Sequence, residues 1–363
     1  MKIRKIIAWT LALALSFSAG GAFAADEGPS GTVAIYSSMY PFVLEMLDEA
    51  IHQQFPNLKP GGENGSFFIY GGTSALIKRI YAGMKEGTLE CDMMLVAEPS
   101  LSLELKEADY LKPVEIPGIA EQLRFPCDEE GYWYPVRVCN MVLAYNPMTE
   151  QEWNAKGIQV PRTFENFAMD RSLKGLITMG DPMTSGTTFA AVAALTSVDR
   201  YGRQFLKGLA RNQVRIESGS AGIRKVREGT CIAAMILEES VLKAMKDAED
   251  AGTPLKDLAC IYPEDGAVLI PSTVMIVADE HSKNRNSEAC EAVEKWFLTE
   301  EAQQIIMQGF MHSVLAGMQE YPWHSADTQK LMDRMMSVNW ESVYKNRAEL
   351  NFAWQDYVYV SNW

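Results

Sequence analysis

Hydroxyl and glycine residues recur in short clusters suited to holding an anion, and the densest runs from Gly180 to Leu195: Gly-Asp-Pro-Met-Thr-Ser-Gly-Thr-Thr, then Phe-Ala-Ala-Val-Ala-Ala-Leu. A short apolar run, Leu176 to Met179, enters a Pro-containing turn that opens an alanine-rich segment, which is the pattern of a strand, a loop and a helix start. The first N–H groups of a helix lack intrahelical partners and the macrodipole places partial positive charge there, so a phosphate or carboxylate fits. Ser185, Thr187 and Thr188 add hydroxyl donors, and Gly186 permits close backbone approach. A hydroxyl-capped helix without a ligand has the same pattern.

The cluster is not alone. Ser37-Ser38-Met39-Tyr40, Gly71-Gly72-Thr73-Ser74 and Glu217-Ser218-Gly219-Ser220 each follow an apolar run and precede a helical one. Carboxylates stand at comparable places, Glu98 after one strand and Glu238-Glu239 after another, and ionised carboxylates accept hydrogen bonds from sugar hydroxyls well. Hydroxyl turns for a phosphate and carboxylates for a polyol together suit a phosphorylated sugar. Catalysis has little support: His52, His281, His312 and His324 show no metal-ligand spacing, no Gly-x-Ser-x-Gly elbow or Walker loop occurs, and Ser185 has no local base. The chain therefore reads as a binder with no catalytic residue, no cofactor and no metal site.

Elements that would position these groups follow from periodicity. Thr32 to Tyr36 reads as a strand, and Pro41 opens a helical pattern with Phe42, Val43, Met46, Leu47, Ala50 and Ile51 on one face. Phe67 to Tyr70 and a helix from Ala75 to Met84 repeat the unit, as do Asp92 to Ala97 and Leu101 to Lys106. Such alternation predicts an α/β sheet whose ligand edge carries Ser37, Ser38, Thr73, Ser74 and Glu98. After a hairpin-like stretch from Gly131 to Pro147 the same logic returns at Asp181–Thr188, at Ser218 and Ser220, and at the strand Cys231 to Leu237 that enters Glu238. Two such edges facing each other make a cleft.

Composition narrows the setting. Lys2, Arg4 and Lys5 precede an apolar run, Ile6 to Phe17, and Ala22-Phe23-Ala24 follows, so residues 1–24 read as a cleaved secretory signal peptide. Its removal takes the formal charge from −14 to −17, which disfavours nucleic acid or anionic membrane as partner and leaves any anion site to local donors. Cys91, Cys127, Cys139, Cys231, Cys260 and Cys290 form no Cys-x-x-Cys pair; they could be buried thiols or disulfides, with Cys231–Cys260 the best candidate bridge. Trp133, Tyr134, Trp153, Trp296, Trp323, Trp340 and Trp354 read as packing residues.

The order Val33-Ala34-Ile35-Tyr36-Ser37-Ser38, Gly-Gly-Thr-Ser, Asp92 to Glu98, Leu143-Ala144-Tyr145-Asn146-Pro147, Asp181-Pro182 with Ser185-Gly186-Thr187, then Ile270-Pro271-Ser272-Thr273 and the helix with Trp296 and Phe297, resembles periplasmic solute-binding proteins of ABC importers. The branch with ferric-ion, phosphonate and hexose-phosphate binders is most similar. The resemblance implies a two-lobe type II α/β fold with two hinge crossings, near Val138 to Tyr145 and Leu269 to Val274, and adds Tyr40 and Thr273 to the expected ligand residues. It implies lobe one at 31–139 plus 272–315, lobe two at 140–271, and C-terminal helices at 316–363 packing on lobe two. It also implies a monomer that captures a small anionic solute and hands it to an ABC permease in the inner membrane, or presents it to a membrane sensor. Ferric binders of this branch carry an adjacent tyrosine pair where this chain reads Glu238-Glu239-Ser240, although Tyr40 and Glu98 stand where their other two protein ligands lie.

Overall fold

The computed structural model describes residues 28–360. The expected signal peptide, residues 1–24, lies outside the described residues. From Gly31 strands and helices alternate: β1 (Gly31–Val33), β2 (Ile35–Ser37), α1 (Pro41–Gln54), β3 (Leu58–Pro60), β4 (Phe68–Tyr70), α2 (Thr73–Glu86), β5 (Met93–Val96), α3 (Pro99–Glu107) and β6 (Leu111–Lys112). Pro41 and Pro99 sit in the first turns of α1 and α3, where the missing N–H leaves no bond unmade. β2 lies between β4 and β5 and is parallel to both, so the chain leaves Ser37, Tyr70 and Val96 at one sheet edge.

The stretch from Gly131 to Pro147, expected to be hairpin-like, is instead one strand of 12 residues, β7 (Tyr134–Tyr145). Its glycine and prolines stand only near the ends, and Asn140 in the middle is bonded to Glu238 instead of forming a turn, so nothing reverses the run from Val136 to Tyr145. Beyond it come α4 (Glu150–Ala155), α5 (Phe164–Met169), β8 (Ile177–Met179), α6 (Gly186–Ser197), α7 (Gln204–Arg211), β9 (Arg215–Ile216) and α8 (Gly219–Arg227). The chain continues through β10 (Ala233–Leu237), α9 (Glu238–Asp250), β11 (Ala259–Ile261) and β12 (Val268–Val277).

One sheet runs β4-β2-β5-β12-β7-β10-β8-β9. Its middle is the antiparallel pair β7 and β12, which runs from Tyr134↔Val274 to Met141↔Val268 with one register shift between Ser272 and Thr273. One end of β12 also pairs with β5, while the far end of β7, Met141 to Tyr145, pairs with β10. Both long strands thus pass from one lobe into the other, which gives the type II fold its two crossings. Each side has its own core: Val43, Leu47, Phe67, Met93 and Val274 share one, and Leu143, Phe164, Ile177, Phe205 and Leu209 another.

After β12, α10 (Ser287–Phe297) and α11 (Glu300–Gln308) return to the first core, where Trp296 and Phe297 are buried. The expected helical run near the C-terminus is divided into α12 (Thr328–Met332), α13 (Trp340–Lys345), α14 (Arg347–Trp354) and a π turn, Gln355–Tyr359. Asn339 accepts from Ser342 N and starts α13 afresh, as Asp327 does for α12. Expected on lobe two, these helices touch both lobes: Leu331 lies in the first core, α13 packs on α3, and Trp354 and Val358 are buried in the second core. The Cys231–Cys260 bridge is not formed. All six thiols are free, and those two belong to one apolar cluster with Ile223, Ala234 and Val241.

The two lobes touch where α2 and α6 begin. A Cβ placed on Gly186 would stand 2.2 Å from Thr73 Cγ2 and 2.6 Å from its Cβ, so glycine here serves contact between lobes. Tyr40 Oη and Ser240 Oγ share a hydrogen bond of 2.6 Å across the same divide. Gly186→Ala is expected to hold the lobes apart and to weaken solute binding about tenfold or more, with Thr73→Gly restoring it in the double variant. Calorimetric titration of the three proteins checks this; equal affinity for all three would show that the contact does not govern closure.

Candidate functional site

A cavity of about 990 Å³ lies between the lobes, at the upper end of the range of small-molecule sites. Five helices begin on its wall, because their N-cap residues Tyr40 (α1), Gly72 (α2), Ser185 (α6), Ser218 (α8) and Leu237 (α9) all line it. Each of the strands β2, β4, β8, β9 and β10 hands over to a helix at the carboxyl edge of the sheet, and the crossings turn the two edges towards each other. The helix starts carry partial positive charge and unpaired N–H groups.

Local hydroxyls satisfy some of those donors and leave others. Ser185 Oγ accepts from Thr188 N at 3.2 Å and from Thr188 Oγ1 at 2.9 Å, and lies 3.2 Å from Thr187 Oγ1. Ser218 Oγ takes Ala221 N at 3.4 Å. Tyr40, Gly72 and Leu237 supply no side-chain cap. Among the expected residues, Tyr40 from lobe one and Ser185, Thr187, Thr188, Ser218 and Ser220 from lobe two therefore line the same cavity.

The remaining expected residues are placed elsewhere. Ser37 is fully buried and accepts from Met39 N at 3.2 Å, while Ser38 accepts from the Arg137 guanidinium at 3.1 Å. Thr73 is the partner of Gly186, and Thr273 is fully buried with its hydroxyl unpartnered. Ser74, Glu98 and Gly186 line a separate cavity of about 240 Å³.

None of the three expected carboxylates faces the large cavity, which corrects their assignment to the ligand's polyol end. Glu98 caps α3 through Ser100 N at 3.2 Å and pairs with Arg347 at 2.6 Å. Glu238 accepts from Tyr262 Oη and Ser325 Oγ at 2.5 Å each and from Asn140 Nδ2 at 2.8 Å, and it meets His312 Nε2 at 3.0 Å. Burial pushes the Glu238 carboxyl up, but the bonds from His312, Ser325 and Tyr262 outweigh it and hold the group below the usual range. Glu239 has fewer partners: burial pushes it up from 4.5 to about 7 against the pull of Arg137 and Cys139, and its Oε2 has no partner.

Several lining residues escaped the sequence. Tyr70 ends β4 on the wall and keeps 47% of its surface exposed. Lys243 also lines it, bonded to Asp247 at 2.5 Å and lying 5.2 Å from the Phe42 ring across the lobe divide. Glu217 is paired with Lys225 at 3.1 Å, and Asp181 Oδ1 accepts from Met183 N at 2.9 Å, so these wall carboxylates have partners in the protein. Arg137, 2% exposed, stands behind the wall between Ser38 and Ser272. A polar residue at the very end of a strand, as Tyr70 is, or directly after it, as Glu217 is, is a usable signal; Lys243 sits inside α9 and has none. Among the described residues no group of three or more His, Cys, Asp or Glu side chains is placed to hold a metal ion, and no helix is long and apolar enough to cross a membrane.

Fold and cleft together define a two-lobe periplasmic binding protein. Residues 91–346 match the family of bacterial extracellular solute-binding proteins, and the chain belongs to that family. Its fold is shared with AfuA from Actinobacillus pleuropneumoniae, solved with fructose-6-phosphate (19% identity, 91% of this chain and 99% of that one, TM-score 0.71). It is shared equally with iron-bound HitA from Pseudomonas aeruginosa (18% identity, 90% and 99%, TM-score 0.71) and with the periplasmic binding protein P5PA (18% identity, 91% and 100%, TM-score 0.70). No curated protein matches the chain.

The Glu239 carboxyl makes stability depend on pH. With its folded-state value raised, the folded protein keeps a proton that the unfolded chain has released, so stability is lost as pH rises from about 4.5 to about 7. Glu239→Gln should melt higher than the parent at pH 8, by at most about 3 kcal/mol of stability, and no higher at pH 4.5. Thermal denaturation at the two pH values checks this; a pH-independent difference would mean that the group does not titrate in the fold.

Proposed function

We propose that this protein captures a small phosphorylated or phosphonate solute, of the size of a sugar phosphate, and delivers it from the periplasm to an ABC permease without chemical turnover. The observation that carries the proposal is the convergence of five helix N-caps on one cavity, two from lobe one and three from lobe two. Backbone dipoles, N–H groups and the hydroxyls of Ser185, Thr187, Ser218 and Ser220 suit an oxyanion that no guanidinium on this wall could take. At about 990 Å³ the cavity exceeds what a bare oxyanion fills, and the exposed Tyr70 ring offers a face to the rest of the molecule.

Iron is the competing cargo, because HitA is similar in fold and Tyr40 lines the cavity. Two observations weigh against it. Burial, and then the nearby Glu239 carboxylate, push the Tyr40 phenol up, whereas a phenolate ligand must lose its proton. Glu98, which the resemblance pairs with Tyr40, lines the other cavity and is bonded to Arg347.

Thermal-shift measurements with glucose 6-phosphate, glycerol phosphate, methylphosphonate, inorganic phosphate, glucose and ferric citrate test the proposal. A phosphorylated compound at a hundred times its dissociation constant should add about 2.7 kcal/mol of stability. Ser185→Ala and Ser218→Ala should each cost about 1.5–3 kcal/mol of binding where the hydroxyl meets a charged oxygen. Stabilisation by ferric citrate alone would overturn the reading.

A further inference from the structure

The chain beyond Asn339 contacts both lobes beside the smaller cavity. On lobe one, α13 packs on α3, and Arg347 Nη2 donates to Glu98 Oε2 at 2.6 Å and Ser100 Oγ at 2.7 Å. Glu104 lies 3.7 Å from the same nitrogen, and the Glu98 side chain is 1% exposed. On lobe two, the Arg347 guanidinium stands 5.7 Å from the Phe189 ring, and Val343 is buried against Phe189 and Ala193. Trp354, 1% exposed, and Val358 are embedded in the second core, and Arg203 of α7 pairs with Glu349.

Hinge rotation of a two-lobe binding protein separates such faces. Residues 340–358 cannot remain in contact with both α3 and the second core while the lobes part, so one set of contacts must release. The second-core side holds a buried tryptophan and a run of apolar contacts, whereas the α3 side is fastened by one helix face and one ion pair. The ion pair is the side that water can take over when the lobes part, since both charges are rehydrated on separation. Neither Glu98 nor Arg347 lines the large cavity, so neither is needed to touch the solute.

We propose that residues 340–358 are a strap anchored in lobe two, and that the Arg347–Glu98 pair is its latch on lobe one, which holds the lobes closed and so sets solute affinity from outside the solute cavity. Both are positioning residues. When only a fraction of the protein is in the competent closed state, apparent affinity falls by that fraction. Ser100 and Glu104, which share Arg347, belong to the same fastening, and the Glu98 that the sequence offers as a ligand group acts here on closure.

Small-angle scattering of the ligand-free full-length mature protein tests the latch without depending on the identity of the solute. Arg347→Ala and Glu98→Gln should each raise the radius of gyration above that of the parent, the double variant should open no further than either single one, and Arg347→Lys should stay nearer the parent. Titration of glucose 6-phosphate should then show affinity reduced about tenfold or more in the opened variants, through faster dissociation. Glu98→Gln is close to isosteric and keeps the test decisive if Arg347→Ala does not fold. Parent-like scattering from Glu98→Gln and from every other folded variant would overturn the latch, as would additive opening in the double variant. Failure of the parent to bind glucose 6-phosphate would count against the solute reading and leave the scattering comparison to decide this one.

Discussion

The antiparallel pairing of β7 with β12 is the contact on which the rest of the molecule depends. Because each strand pairs with its neighbour along one part of its length and with a strand of one lobe along another, the pair carries the sheet across from lobe to lobe. Parallel strands on either side end at carboxyl edges, and the crossings bring those edges face to face. Five helix starts then surround one space. Without the long strands the same helices would begin on two unrelated surfaces, and the dipoles of α6 and α8 would meet only solvent.

That arrangement resolves an electrostatic difficulty. A chain whose formal charge is −14 attracts no anion over distance, and the wall of the cavity itself carries Asp181, Glu217 and Asp247. Two of these are paired with lysines and the third is bonded to its own turn, while helix dipoles act over about one turn and are not cancelled by charges elsewhere on the surface. On the proposed reading, selectivity rests on short-range backbone and hydroxyl donors and on how fully the lobes close. Contacts at Gly186 with Thr73, at Tyr40 with Ser240 and at Arg347 with Glu98 bridge the two lobes, and on the proposed reading they link the affinity of the cavity to the hinge.

Local patterns made much of this legible. A Ser or Thr before an alanine-rich or amphipathic segment announces a helix start wherever the tertiary structure carries it, which is why Ser185 and Ser218 are placed at α6 and α8. The same locality explains what was hidden. Glu98 looks like a free carboxylate at a strand end until Arg347, 249 residues later, is brought to it. Glu238 resembles a sugar ligand because its partners Asn140, Tyr262, His312 and Ser325 are scattered along the chain. Gly186 reads as a place for an anion, whereas Thr73 of the other lobe occupies that approach. In β7 the bounding glycine and proline suggest a turn, but the run from Val136 to Tyr145 contains neither, and its polar Arg137 and Asn140 are bonded to Ser272 and Glu238.

The five converging helix starts are proposed to form an oxyanion site. This proposal is tested most directly by a crystal structure of the mature protein with glucose 6-phosphate. The phosphate is expected in the large cavity, within hydrogen-bond reach of the first turns of α6 and α8 and of Ser185 or Ser218, with the sugar directed towards Tyr70. A phosphate bound outside that cavity, or a metal ion held by Tyr40 with the helix starts unoccupied, would contradict it.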